Sequence, residues 1–158
     1  MAVIPLTIKG AESLRKELHQ LKTEERPSVI NAIAEARSHG DLSENAEYDA
    51  ARERQGFIES RIANLESILS NAQLIDPKSI LSEGKVVFGA TVNIEDLNSK
   101  EKYSYQIVGD AEADIKLNLI SISSPMARAM IGKEEGDIIE VRAPSGNYEY
   151  EIIEISYI

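Results

Sequence analysis

His39-Gly40-Asp41-Leu42-Ser43-Glu44-Asn45-Ala46-Glu47-Tyr48 stands where one long helical pattern must stop and a second begin. Upstream, Leu14, Leu18 and Leu21, then Val29, Ile30, Ile33 and Ala36, carry an apolar stripe toward Gly40. Downstream, Ala46, Ala50, Phe57, Ile58, Ile62, Leu65, Leu69 and Ala72 continue it at similar spacing. Apolar residues every three to four positions over this length predict two antiparallel helices zipped along one seam. Each arm of about 30 residues, at about 1.5 Å per residue, makes a rod on the order of 45 Å long. The turn then lies at the far end of that rod. Pro27, the one breaker within the arms, lacks an amide donor and crowds the preceding turn, so a kink or short break is expected near Glu24–Ser28.

After Asp76-Pro77 the texture changes. Stretches 86–94, 103–108, 137–141 and 148–155 are β-branched and aromatic, punctuated by turn signals at Asn98-Ser99 and Pro144-Ser145-Gly146-Asn147. Tyr148, Tyr150 and Ile152 alternate, then Ile153 and Ile155 switch parity, which predicts a bulge or a strand buried on both faces. Residues 124–132 read as one short helix, with Ser124 as cap, Pro125 in the first turn and Gly132 past the end. The fold class is therefore α+β: a helical coiled-coil hairpin over residues 1–76, its acidic tip near 39–48, followed by a small antiparallel sheet domain over 77–158.

Charge narrows the function classes. Among 158 residues, 27 are acidic and 17 basic, a net charge of −10. Such a surface lacks the clustered cations needed to neutralise phosphates, so no strong binding to free nucleic acid is expected. With no cysteine there is no disulfide, thiolate metal site or cysteine nucleophile. No signal peptide or membrane span is read, and a soluble cytoplasmic protein is expected.

Asp41 and Glu44 admit two readings. Asp-x-x-Glu after a helix-ending glycine is a good capping arrangement for the following helix. Alternatively, the two carboxylates hold a hard divalent cation such as magnesium, which accepts one or two carboxylates from one source and needs its remaining ligands from elsewhere. Arg37, Arg52 and Arg54 are expected to pair with Glu35, Glu53 or Glu47 on solvated helix faces, or to touch a phosphate backbone. His19 and His39 are isolated and suggest no zinc site.

Taken with Ala50-Ala51-Arg52-Glu53, the tip stretch resembles the signature of the Gre transcript-cleavage factors of bacterial RNA polymerase. Further matches to that family are Thr7 through Leu14, Ser70-Asn71-Ala72, Phe88-Gly89-Ala90-Thr91-Val92, Ile107-Val108-Gly109, Ser124-Pro125 and Ile131-Gly132-Lys133. They span essentially the whole chain, and its acidity fits the less basic branch of the family. The resemblance implies an N-terminal coiled coil and an FKBP-like C-terminal domain that docks on the rim of the polymerase's secondary channel. It also implies that Asp41 and Glu44 help hold the second catalytic Mg²⁺ at the polymerase active site, with no cofactor bound to the free protein and no enzymatic activity of its own. Arg37 and Arg52 match the small basic patch that contacts the RNA 3′ segment, and Tyr48 is expected to support the tip. Ser121, Ser123 and Pro125 are the expected docking residues. Two other classes remain open beside a cleavage factor: a channel protein that binds without stimulating cleavage, and a chaperone or prolyl isomerase, for which the apolar surface at the tip and the phenylalanine and tryptophan content are poor.

Overall fold

The computed structural model describes residues 3–40 and 45–158. They form two compact units: Glu12–Asn71 makes one, and residues 3–11 belong with Ala72–Ile158 in the second.

The hairpin's first arm is α1 (Ile8–Gln20), a π-helical turn at Leu21–Glu25, and α2 (Arg26–Arg37). Its second arm is α3 (Ala46–Ser70). The predicted break at Pro27 takes the form of that π turn. Pro27 sits in the first turn of α2, where a missing amide costs little, and Arg26 N–H reaches back to Leu21 O across the widened turn. The seam is narrower than periodicity predicts. Val29, Ile33 and Ala36 are buried on one arm and Ala51, Ile58, Ile62 and Leu65 on the other, whereas Ile30 (50 % exposed) and Phe57 (70 % exposed) face outward. Two slim helices bury a stripe about two residues wide, so apolar positions at its margin stay in water. Among the described residues, four pairs of Arg or Lys with Glu reinforce the seam across the arms: Arg61–Glu17 at 2.7 Å, Arg26–Glu59 at 2.7 Å, Arg54–Glu25 at 3.1 Å and Lys22–Glu66 at 3.6 Å.

In the second unit, strand β1 (Ile4–Thr7) runs parallel to β2 (Ala72–Ile75), pairing Ile4 with Ala72 and Thr7 with Ile75. The main sheet comprises β3 (Thr91–Asp96), β4 (Lys102–Val108), β5 (Leu119–Ser121), β6 (Ile138–Ala143) and β7 (Gly146–Ser156), in the order β5-β4-β3-β7-β6. Its pairs are antiparallel except β4 with β5, which are parallel, so a mixed sheet stands where an antiparallel one was expected. The stretch read as a strand from Val86 joins the sheet only at Thr91. Val86 N–H instead donates to Lys133 O at 2.8 Å, and a turn from Val87 to Ala90 separates the two pairings. The parity switch is a bulge: Asn93 pairs with Glu154 and Ile94 with Ile152, so Ile153 is skipped and 42 % exposed while Ile152 and Ile155 are both buried. Helix α4 (Pro125–Met130) is capped by Ser124, whose Oγ accepts from Ala127 N–H at 3.2 Å, and it buries Ala127 and Met130 against the sheet core. Among the described residues no helix is long and apolar enough to cross a membrane.

Candidate functional site

The tip is framed from both sides by hydrogen bonds of the described residues. Helix α2 winds down through Ser38 N–H to Glu35 O (3.1 Å), His39 N–H to Ala36 O (3.2 Å) and Gly40 N–H to Arg37 O (3.2 Å). Gly40 then adopts φ +100°, a conformation that a side chain would strain. On the far side Asn45 is extended and caps α3: its Oδ1 accepts from Tyr48 N–H at 3.2 Å. The same side chain reaches the other arm, its Nδ2 donating to Ala36 O at 2.6 Å. One residue thus satisfies an orphan donor at the start of α3 and an acceptor at the end of α2. His39 Nδ1 lies 3.4 Å from Glu47 Oε2, a second contact across the arms. Glu47 and Asp49 in the first turn of α3 suit its positive end.

Asp41 and Glu44 lie outside the described residues, as do Leu42 and Ser43. The N-cap of α3 is Asn45. Asn is among the best N-cap residues, and that signal was present in the sequence but overshadowed by the acids beside it. Tyr48 supplies the capped amide, which gives its backbone a structural part at the tip.

Arg37 and Arg52 come from opposite arms and line one groove of about 270 Å³, together with Ile30, Ile33, Ala34 and Gln55. Among the described residues neither forms an ion pair, whereas Arg54 is held by Glu25 instead of by the Glu53 or Glu47 that helix spacing offered. The groove therefore combines two guanidinium groups with an apolar floor. No group of three or more His, Asp or Glu among the described residues is arranged to hold a metal ion.

In the sheet unit, Ser121 ends β5 and Pro125 opens α4. The Asp110 carboxylate gathers this loop. It accepts from the Ser121 hydroxyl and, at 2.8 Å, from the Ser123 hydroxyl, while Ser123 N–H donates to Ser121 Oγ at 3.0 Å. Two hydroxyl donors hold Asp110 below the usual carboxylate range. Asp110 was not singled out from the sequence, because nothing in its local pattern reveals partners eleven and thirteen positions away.

Comparison with known proteins separates the family from its folds. Residues 4–74 match the family described as transcription elongation factor, N-terminal, and residues 81–157 match transcription elongation factor, GreA/GreB, C-term. The transcription elongation factor GreA of Neisseria meningitidis is 64 % identical over 158 residues, covering 100 % of both chains. That of Halorhodospira halophila is 63 % identical over 157 residues, covering 99 % of each. A crystal structure of GreA factor homolog 1 from Thermus thermophilus is 30 % identical, covers 98 % of this chain and 99 % of its own, and gives a TM-score of 0.46. Two family regions in the right order, and relatives matched end to end, leave one conclusion: the chain belongs to the GreA/GreB family of transcription elongation factors.

Proposed function

We propose that this elongation factor docks on RNA polymerase through its sheet unit and lends Asp41 and Glu44 to the polymerase active site, where they stimulate the polymerase's own cleavage of backtracked RNA. Binding of RNA polymerase and stimulation of transcript cleavage are the role of the family to which the chain belongs. The observation that carries the finer reading is the Asn45 cap. Asn45 caps α3 with its own side chain, which supports a part other than capping for the carboxylates of Asp41 and Glu44.

Two oxygen ligands suit Mg²⁺ in kind but are too few to close a site, so the remaining ligands come from the polymerase. In two-metal hydrolysis the ions position the attacking water and stabilise the leaving oxygen. Within the chain, Asp41 and Glu44 supply charge and oxygen donors, and Asn45 and Gly40 set where the segment that carries them starts and ends. Arg37 and Arg52 hold a phosphate of the RNA 3′ segment, their groove taking the sugar or base against Ile30 and Ile33. Ser121, Ser123 and Pro125 meet the rim of the secondary channel. On this reading the factor acts through the polymerase, whose active site supplies the remaining metal ligands and holds the RNA.

The test uses polymerase stalled on a backtracked, 3′-labelled transcript. Release of short 3′ fragments should accelerate with the wild-type chain and lose that acceleration with Asp41→Asn, while affinity for the polymerase holds. Full stimulation by Asp41→Asn would remove the carboxylate from the reaction. Binding of the wild-type chain without fragment release would favour a channel-blocking factor.

A further inference from the structure

Four tyrosines gather on the face of the main sheet that carries its core. Residues paired across strands share a face, which puts Tyr103 and Tyr105 of β4 beside Ile94 and Val92, and Tyr148 and Tyr150 of β7 beside Val141 and Ile139. Tyr103 and Tyr105 stack with ring centroids 6.0 Å apart. Tyr103 meets Tyr150 edge-on at 6.3 Å across the intervening strand β3, and Tyr148 lies 6.5 Å from Tyr150. All four are half-buried, and Tyr103, Tyr105 and Tyr150 pack against the core cluster that includes Ile94 and Ile152. Two carboxylates adjoin the rings. Glu101, exposed, accepts from the Tyr103 hydroxyl through Oε2 at 2.6 Å. Asp96, paired with Tyr150, holds the β3–β4 turn by accepting from Asn98 N–H at 2.8 Å and Ser99 N–H at 3.2 Å. After burial, the charge of Asp96 is what raises the Tyr150 phenol. All of these residues belong to the sheet unit.

Roofing the core accounts for the rings but not for the acids. Cover over Ile94 is served as well by Phe or Leu, which bring no polar atom to the surface. Carboxylates beside half-buried rings repel phosphate and suit a cation, whose attraction to the ring faces adds to its attraction to the charge. We propose that this tyrosine face is a docking site for an arginine-bearing polypeptide segment of a partner protein, the guanidinium lying on the rings of Tyr103 and Tyr150 and donating to Glu101. Charge complementarity selects the occupant. Glu101 Oε2 is engaged by the phenol, so Oε1 receives the guanidinium. A planar guanidinium stacks on rings and bonds a carboxylate in a fixed fork, whereas a lysine ammonium offers a compact, strongly hydrated point charge. The site is independent of the polymerase reading, since it uses neither the tip nor the Ser121–Pro125 loop.

The experiment titrates the isotope-labelled full chain, at low salt, with a short end-blocked peptide of alternating glycine and arginine, and follows amide and tyrosine-ring NMR signals. Saturable shifts confined to Tyr103, Tyr105, Tyr148, Tyr150 and the β3–β4 turn are expected, with a dissociation constant of about 1 mM or tighter. Peptides carrying lysine or norleucine in place of arginine should bind at least about fivefold more weakly. Glu101→Gln and Tyr150→Leu should each weaken binding of the arginine peptide by about threefold or more. Tyr150 also packs on the core, so the exposed Glu101→Gln decides the matter if Tyr150→Leu loosens the sheet. Glu140→Gln, at an exposed acid on the opposite face of the sheet, should leave binding unchanged. Equal binding of the lysine or norleucine peptide overturns the proposal. So do shifts spread over the acidic surface of both units, or full affinity in Glu101→Gln.

Discussion

Along the hairpin Val29, Ile58 and Ile62 form a small buried cluster, with Leu18 and Leu21 packed beside it. In the sheet unit twelve buried residues from β3 to β7, α4 and the preceding loop form one cluster, including Ile94, Ile107, Met130 and Ile152 with no exposure. The hairpin instead leans on cross-arm ion pairs that lie in water. Each such pair is worth about 0–1 kcal/mol, against about 1.5–3 kcal/mol for one fully buried aliphatic side chain. On the proposed reading the hairpin enters a channel, and an element built for that has no width to spare for a core. The proposed chemistry accordingly sits at the end of the weaker unit, and the proposed docking residues sit on the stronger one.

The comparison can be broken in four ways. The largest effect should come from the tip, where Asp41→Asn is expected to cut stimulated cleavage by about 100-fold, the scale of losing a metal-holding group, with no change in the denaturation of either unit. A lowered melting temperature for this variant would return the acid to a structural part. Next, Ile94→Ala in the sheet core should cost about 3–5 kcal/mol and Ile62→Ala in the seam about 2 kcal/mol, since the flank of a seam collapses into the gap more readily than a closed core. Denaturant unfolding measures both, and equal costs would erase the contrast drawn above.

Asn45→Ala should cost about 1–2 kcal/mol, because it loses both the cap and the bond across the arms to the Ala36 carbonyl. Faster amide exchange at Tyr48 would report the lost bond directly. The smallest effect is expected at the ion pairs: Glu17→Gln should cost about 0.5 kcal/mol, read at neutral pH and low salt. The hydrogen bond from Arg61, with its charge, holds the Glu17 carboxyl below the usual carboxylate range. A carboxyl with a depressed folded-state value stabilises above its unfolded value and loses that contribution as pH falls through the folded one. Hairpin stability should therefore decline on acidification through the carboxylate range, and Glu17→Gln should flatten that slope. Tyr103 marks the opposite limb. A hydrogen bond to Glu101 pushes its phenol up to about 12, so its contribution holds below the ordinary tyrosine value and fades as pH rises through 12.

Much of the local architecture was legible in the residues. Spacings of three and four announced the two arms, Ser124-Pro125 through Gly132 announced α4, and the parity switch at Ile153 announced the bulge, because each of these depends on neighbours within a turn or two. The margins of the seam were not legible: Ile30 and Phe57 share its period yet face water, since the width of a stripe depends on how far the partner helix reaches. At the tip, periodicity located the turn and the acids, while the choice of Asn45 as cap was settled by Ala36 on the other arm.

By itself, then, the sequence determined the two-part α+β organisation, the acidic tip between the arms and, through its resemblance over the full length, the family. Only the tertiary structure decided that residues 4–7 join the sheet unit by pairing β1 with β2, that β5 joins β4 in parallel, and that Asp110 and Glu112 grip the loop of Ser121 and Ser123 and the root of α1. The physical reason is one of range. Helix periods, caps and turns are written in consecutive residues, whereas a strand's partner or a carboxylate's donors are chosen by which distant segments the fold brings within 3 Å, and no local pattern encodes that meeting.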